Sequence, residues 1–333
     1  MANVRIDDAI PLEIAIDEDV ASVTATTTNN SEDGTSLASS VLQYEFKYGR
    51  RYHGYQAGSY AFPNDEPEQD RLDMVHHVYY RALHNRLILA PFDPDGKRIL
   101  DIGTGTGIWA IALGDQYPGA KEILGIDLSP IQPAWVPANV RFLLDDVEKP
   151  WVPSTDGEGY DFIHCRYMAG SIKDWPRLIQ RCFENLKPGG WLELQETRNR
   201  LYSEDGSLKG DSYMVKMMEG LIEACEKIGR TMDPAPLMEG WVRDAGFEKV
   251  VKQTVKLPVG VWPKDARLKE CGALLRVNFI EGVEGFTAAL FGEVLGWPRE
   301  EVEALNAGVR AESLRNDIHP IFDFDIISAQ KGR

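Results

Sequence analysis

The sequence predicts an α/β fold built on a mostly parallel sheet. Two observations carry this prediction. Between residues 97 and 196, short apolar runs alternate with stretches of helical period. The first of those runs passes through closely spaced glycines straight into a helix. Alternation of this kind marks parallel strands joined by crossover helices.

The elements follow in order. KRILDI reads as a buried strand, and GIWAIALGDQY as a helix closed by Pro118-Gly119. EILGID, VRFLLD and YDFIHC are the second, third and fourth strands. Asp174 to Leu186 forms a helix, and KPGG turns the chain into the fifth strand, WLELQE. Beyond residue 196 the alternation stops. Residues 211–229 and the segment PLMEGWVRDAGF read as helices, and FEKVVKQTVKL as a strand. Residues 264–291 and 298–315 are helical stretches, and FDFDIIS is a last strand with no helix after it. Upstream, Asn64 or Asp65 caps a helix over 65–90, in which Leu72, Val75, Val78, Tyr79, Ala82, Leu83 and Leu87 recur at helical spacing. Pro91 is expected to end it.

Residues 1–42 stand apart. They carry eight acidic residues and a single basic one, Arg5. Polar, low-complexity sequence of this kind buries too little apolar surface to offset its ordering entropy. The expected organisation is therefore a disordered acidic arm (1–42), an aromatic segment and helix over the ligand site (43–96), and the main domain (97–330). Helical lid insertions are expected at about 197–240 and 260–316. A short apolar patch in the arm, Ile10 to Ile16, is a candidate docking element for a protein partner.

Composition excludes several classes. The 333 residues include 52 acidic and 36 basic ones, for a net charge of −16. A nucleic-acid binder concentrates positive charge instead, so no direct nucleic-acid partner is expected. The four cysteines lie far apart without a CxxC, which argues against a zinc centre and for a reducing compartment. No metal site is expected. No run of eighteen apolar residues is present, so no membrane insertion is expected. The first residues lack the features of a secretory signal. The expectation is an intracellular protein, in cytoplasm or nucleus.

The chemistry lies in Asp101-Ile102-Gly103-Thr104-Gly105-Thr106-Gly107. Glycines admit a ligand close to the backbone, and the helix behind them offers free N–H groups. The dinucleotide spacing fails, because Ile108 stands where a third glycine is required. The phosphate-loop pattern fails as well, because no lysine follows. Asp101 would repel a pyrophosphate but attract an ammonium. Asp127, at the end of the second strand, suits ribose hydroxyls. Asp146, after the third, suits an adenine amine. A ligand with ribose, adenine and a cationic amino-acid tail, but no phosphate, is S-adenosylmethionine.

Those residues, with IDLSPIQPAWVP, RYMAGSIKDWP and LKPGGWLELQE, resemble the class I methyltransferases. With YGRRYHGYQAGSYAFPNDEPEQDRLD and KLPVGVWPKDARLKE, the chain more narrowly resembles the fungal LaeA-like (TAM-domain) methyltransferases, from about residue 44 to 330. The resemblance implies a Rossmann-like fold: seven strands, mostly parallel, the last antiparallel, with helices on both faces. FDFDIIS would then pair with the FEKVV strand. It implies that Asp101, Gly103, Thr104, Gly105 and Gly107 hold the methionine tail. Asp127 and Leu128 would hold ribose and adenine, and Asp146 and Val147 the adenine edge. Arg166 falls where such enzymes meet cofactor or substrate. Tyr52 is a further candidate for the cofactor, through its ring face, and Arg71 for the cofactor carboxylate or an acidic substrate. S-adenosyl-L-homocysteine would be the product.

Methyl transfer requires alignment and exclusion of water, and a base only if the acceptor must lose a proton. The candidates are His77, His76 and Glu196. The two histidines are adjacent on a helix and point about 100° apart, so one at most faces a given pocket. His164 reads as structural, and Trp109 and Trp175 as packing residues. Met214, Met217 and Met218 form a helical stripe that suits either a core or a plastic lid. Two functions fit: methylation of a small-molecule acceptor at oxygen or a carboxylate, or regulation of secondary metabolism through protein partners, as in a velvet-type complex in the nucleus.

Overall fold

The computed structural model describes residues 44–53, 62–151 and 157–333. The acidic arm and residues 54–61 of the aromatic segment lie outside these.

Seven strands form the main sheet: β3 (Arg98–Ile102), β4 (Glu122–Asp127), β5 (Val140–Leu144), β6 (Tyr160–Arg166), β7 (Leu186–Thr197), β8 (Glu248–Pro258) and β9 (Ile321–Gln330). Their order is β5-β4-β3-β6-β7-β9-β8. Neighbours from β5 to β7 are parallel, and β9 runs antiparallel to both β7 and β8. This is the Rossmann-like arrangement. The expected pairing of the last strand with the FEKVV strand is present, with Val251 opposite Ser328. The KPGG segment belongs to β7 itself, with Gly189 in the left-handed region at φ +80°.

Helices cover both faces. On one, Trp109 and Leu113 of α2 (Ile108–Gln116) pack on Ile99, Ile123, Val140 and Phe162. On the other, α3 (Trp175–Asn185) and α5 (Ala235–Asp244) bring Leu178, Ile179, Met238 and Val242 onto Leu100, Ile102 and Ile163. A strand sends alternate residues to opposite faces. Two faces that must both be covered therefore require the near-continuous apolar runs read in the sequence.

A third core lies in a helical cap. It joins α1 (Glu66–Ala82), α4 (Tyr213–Lys227), α6 (Ala266–Ala289) and α7 (Arg299–Ser313). Met214, Met217, Leu221, Phe279 and Phe291 meet Leu257, Phe322 and Phe324 from β8 and β9 there. The methionine stripe is thus part of a core. A five-residue π-turn, Leu290–Val294, continues α6.

The first helix differs from expectation. Asp65 does cap α1, accepting the Glu68 N–H, but the helix ends at Ala82 rather than near 90. His84 and Asn85 adopt φ of +55° and +59°, which no right-handed helix accommodates. Leu83, Leu87 and Ala90 are buried all the same, so their apolar spacing continued the helical signal. A hairpin of β1 (Glu45–Lys47) and β2 (Arg50–Tyr52) precedes α1. Its tight turn places Tyr48 and Gly49 at positive φ. Arg50 forks onto the capping carboxylate of Asp65 at 2.5 and 2.7 Å. Among the described residues, no helix is long and apolar enough to cross a membrane.

Packing in the cap gives a paired prediction. A Cβ on Gly220 in α4 would stand 2.4 Å from the fully buried Phe291 ring. Gly220→Ala is expected to destabilise by roughly 1–3 kcal/mol through overpacking. Gly240→Ala, on the exposed side of α5 with open space around it, is expected to stabilise by roughly 0.4–1 kcal/mol. Urea unfolding of the two variants tests for opposite signs.

Candidate active site

Crossovers leave the sheet in opposite directions from β3 and β6, and a crevice opens at the carboxyl ends of these strands. A cavity of about 330 Å³ occupies it. Asp101 lines it from β3, Gly103, Thr104 and Gly105 from the β3–α2 turn, and Asp127 and Leu128 from the end of β4. Asp145, Asp146 and Val147 follow β5, His164 and Arg166 belong to β6, and His76 and Tyr79 project from α1.

The glycine loop is shaped on both sides. A Cβ on Gly103 would strike the Met168 sulfur, and one on Gly107 the Phe142 ring. Gly105 has nothing within 4 Å of that position among the described residues, and its φ is +58°. Its open face is the approach left to a ligand. The Asp127 carboxylate accepts the N–H groups of Gly105 (2.8 Å) and Ser129 (2.9 Å). Burial raises the pKa of Asp127, and these two amides oppose the rise. Gln132 donates to the Gly105 carbonyl at 2.6 Å. Thr106 donates to Asp73 of α1 at 2.5 Å, which fastens the helix over the loop.

Asp101 and His164 lie opposite each other on β3 and β6. His164 Nδ1 is 2.7 Å from one Asp101 oxygen, and Thr104 donates to the other at 2.6 Å. The His164 ring stacks on Trp109 with centroids 3.8 Å apart. Arg166 lies two residues along the strand, with its guanidinium 5.5 Å from the Tyr79 ring centre. It donates to His76 Nδ1 at 2.6 Å. Burial first, then the Arg166 charge, push the His76 pKa down to about 2. His76 is therefore a neutral acceptor.

A second cavity of about 70 Å³ lies under the cap. Met217, Met218, Leu221, Phe279 and Phe322 make it apolar, and Arg71 and Asn278 add polar groups. Val75, Tyr79 and Tyr167 line both cavities.

The methyltransferase-domain family matches residues 74–253 of this chain. Methyltransferase pytC of Aspergillus terreus is 66% identical over 321 residues, covering 96% of this chain and 97% of that one. Secondary metabolism regulator LAE1 of Cochliobolus heterostrophus is 36% identical over 289 residues, 85% of this chain and 93% of that one. Protein-methionine methyltransferase laeA of Emericella nidulans is 35% identical over 294 residues, 87% and 77% respectively. The chain belongs to the LaeA-like class I S-adenosylmethionine-dependent methyltransferases.

The residues present suit that cofactor. The loop leaves Gly105 open, carboxylates gather at the ends of β4 and β5, and a buried imidazole nitrogen on β6, His164 Nε2, has no hydrogen-bond partner among the described residues. Of the sequence candidates, the cleft of this methyltransferase brings together Asp101, Gly103, Thr104, Gly105, Asp127, Leu128, Asp146, Val147, Arg166 and His76. Gly107 stands behind the loop against Phe142. Tyr52 is buried and is not among the residues lining the cleft, and its hydroxyl has no hydrogen-bond partner among the described residues.

Arg71 lines the second cavity instead, and Glu68 engages it at 2.6 and 2.9 Å. His77 lies outside both cavities, half exposed and 3.0 Å from Glu270 of α6. Glu196 lines neither. Its carboxylate accepts the Met168 N–H at 2.5 Å and holds the turn in which Tyr167 has φ +59°. The sequence reading missed the Asp73–Thr106 clasp and the place of His164, Tyr79 and Tyr167 in the cleft.

Burial pushes the Glu196 pKa up to about 8, against the opposing pull of the Met168 and Ala169 amides. The ordinary value is 4.5. Between these two values the folded protein holds a proton that the unfolded chain has released, so stability falls as pH rises through the window. Glu196→Gln is expected to remove that fall. Its stability relative to wild type should grow between pH 5 and pH 8, by on the order of a few kcal/mol. Denaturant unfolding at both pH values tests this, and a pH-independent difference would count against it.

Proposed function

We propose that this methyltransferase acts on an oxygen or carboxylate of a small molecule in secondary metabolism, and that the acceptor occupies the cavity under the helical cap. The observation that carries this reading is the wall of Val75, Tyr79 and Tyr167 shared by the two cavities. A cofactor on one side of that wall and an acceptor on the other would meet at its edge. Apolar lining with few polar groups is the usual character of a small-molecule site, and the methionines adapt to irregular ligands. The identity with pytC extends over nearly the full length of both chains. It exceeds the 35% and 36% shared with the laeA and LAE1 proteins.

S-adenosylmethionine supplies a methyl group on a positively charged sulfur. In our reading Asp101 and the glycines from Gly103 to Gly105 receive its amino-acid tail. Asp127 and Leu128 receive ribose and adenine, and Asp146 and Val147 the adenine edge. The cap helices α4, α6 and α7 close the acceptor site and exclude water. His76 has its Nδ1 engaged by Arg166, and Glu196 is held by backbone amides away from the cavities. His76 is thus engaged and Glu196 lines neither cavity, so neither candidate base is placed to take a proton from the acceptor. That favours an acceptor oxygen already ionised near neutral pH, as a carboxylate is.

The test follows labelled methyl groups from the cofactor into fungal metabolite extract. Label is expected in the organic-soluble fraction, and Leu221→Phe, which narrows the second cavity, should cut that transfer at least tenfold. Affinity for S-adenosylhomocysteine should stay within about twofold. Label confined to precipitated protein, indifferent to Leu221→Phe, would favour a regulator that modifies protein.

A further inference from the structure

The cavity under the cap is lined by an arginine that is already paired. Arg71 gives Nε and Nη2 to the two oxygens of Glu68, at 2.9 and 2.6 Å. Its charge is therefore balanced from its own helix before any ligand enters. Phe286 of α6 stands against the guanidinium, 4.8 Å from ring centre to carbon. The remaining nitrogen, Nη1, donates to Asn278 Oδ1 at 2.7 Å and to the Tyr167 hydroxyl oxygen at 3.3 Å. One nitrogen on α1 thus holds a side chain of α6 and another from the turn after β6, and both line the cavity.

These bonds decide what the two groups have left to offer. A guanidinium only donates, so the Asn278 atom against it is the oxygen, and the amide N–H groups are turned elsewhere. The Tyr167 oxygen accepts from Arg71, so its proton is the part left to give. Among the described residues neither the Tyr167 O–H nor the Asn278 amide N–H groups meet an acceptor, although Asn278 is only 6% exposed. The other amide of the cavity, Asn199, is engaged at both ends: it donates to the Met232 carbonyl at 2.5 Å and accepts from Thr197 at 3.3 Å. Tyr167 also lines the cofactor cleft, and it holds φ at +59°, a conformation uncommon for a residue with a Cβ.

We infer that the Tyr167 hydroxyl and the Asn278 amide form a donor pair that binds an oxygen anion of the acceptor, a carboxylate above all, and that Arg71 is the positioning residue that aims both. This rests on the reading that the acceptor occupies the cavity under the cap. A pair that presents protons suits an oxygen anion and mismatches a protonated amine, donor against donor. A carboxylate held through one oxygen beside Tyr167, on the wall shared with the cofactor cleft, keeps the other oxygen for the methyl group. The new O–C bond uses that oxygen's lone pair, the S–C bond breaks with its electrons left on sulfur, and no proton has to move. Arg71 adds no net charge to this site, because Glu68 cancels it.

The experiment is calorimetry on protein saturated with S-adenosylhomocysteine, with two probes of one chain length, octanoate and octylamine. Wild type is expected to bind octanoate about tenfold or more tightly than octylamine, as charge-assisted hydrogen bonds imply. Asn278→Asp keeps an oxygen on Arg71 and puts an acceptor where the amide N–H groups stood. It should weaken octanoate about tenfold or more and strengthen octylamine, which inverts the preference. Tyr167→Phe keeps the ring, and should weaken octanoate about tenfold with octylamine unchanged. Arg71→Lys keeps a charge beside Glu68 but loses the bridging nitrogen, and should lower the octanoate preference. A change that merely loosened the cap would weaken both probes alike and leave their ratio as in wild type.

Retained affinity for S-adenosylhomocysteine shows that each variant is folded, and the wild-type ratio with Tyr167→Phe decides the matter where Asn278→Asp does not fold. Leu221→Phe locates the probe, and octanoate should weaken there as well. Octanoate binding that ignores Leu221→Phe, Tyr167→Phe and Asn278→Asp would overturn the donor pair. So would equal affinity of wild type for the two probes, or no octanoate binding at all. The acceptor cavity itself is judged separately by the labelling experiment. Label passing to small molecules, suppressed by Leu221→Phe but without an octanoate preference, would keep the cavity and remove the pair. Label confined to protein, with an octanoate preference that Asn278→Asp inverts, would remove the acceptor reading and keep an oxygen-anion site under the cap.

Discussion

The pairing of β3 with β6 sets Asp101 directly opposite His164, and the polar floor of the cleft is arranged from that pair. Both strands are buried on both faces, so a charged side chain on either needs an internal partner. A slip of either strand by one residue would turn its polar side chain to the opposite face, into the apolar layer of Leu178, Ile179 and Met238. On the other side of β3, Gly125 of β4 lies opposite Asp101. A Cβ there would collide with Thr104 and Phe142. Its absence lets the Thr104 hydroxyl reach the second Asp101 oxygen. The charge is thereby held by two neighbours, both contributed by elements that line the cavity.

Helix α1 joins the cofactor side to the cap. Asp73 grips the glycine loop through Thr106, while Arg71, on the same helix, reaches Asn278 of α6 at 2.7 Å. Arg71 and Glu68 form a buried ion pair, 4% and 3% exposed. Such a pair adds little net stability, because desolvation offsets most of the attraction. It does impose a geometry: a fork of N–H groups fits one arrangement of carboxylate and amide. The consequence is a fixed orientation of α1 against α6, and hence a fixed position for Val75 and Tyr79 between the two cavities.

Much of this was legible in the sequence, for identifiable reasons. Strands buried on both faces write themselves as short apolar runs, and the glycine spacing with Asp101 and Asp127 distinguished the ligand from a dinucleotide. Long-range contacts were not legible. Helical spacing offered His76 and His77 equally, and Glu270, nearly two hundred residues on, is what draws His77 outward. Arg71 looked available as a cofactor cation. The local signal against it was present, since Glu68 stands three residues earlier on the same helix face. His164 was set aside as an alternating strand residue. Counting along β6 from Arg166 would have placed it on the face of the cleft, but only the register with β3 shows that Asp101 holds it.

Charge in the cleft is sorted by position, which bears on how one cavity can serve a cationic ligand in a chain of net charge −16. Asp127, Asp145 and Asp146 stand at the ends of β4 and β5, where hydroxyl and amine donors of a nucleoside would find acceptors. Arg166 and neutral His76 stand at the β6 end, beside Tyr79 and the second cavity. An anionic acceptor approaching from under the cap would meet the guanidinium and the ring faces first, and the carboxylates last. Further in, it would meet Asn278 and Tyr167. The neutral Arg71–Glu68 pair suits that division, because it orders the cavity wall without presenting a second cation to compete for the acceptor's charge.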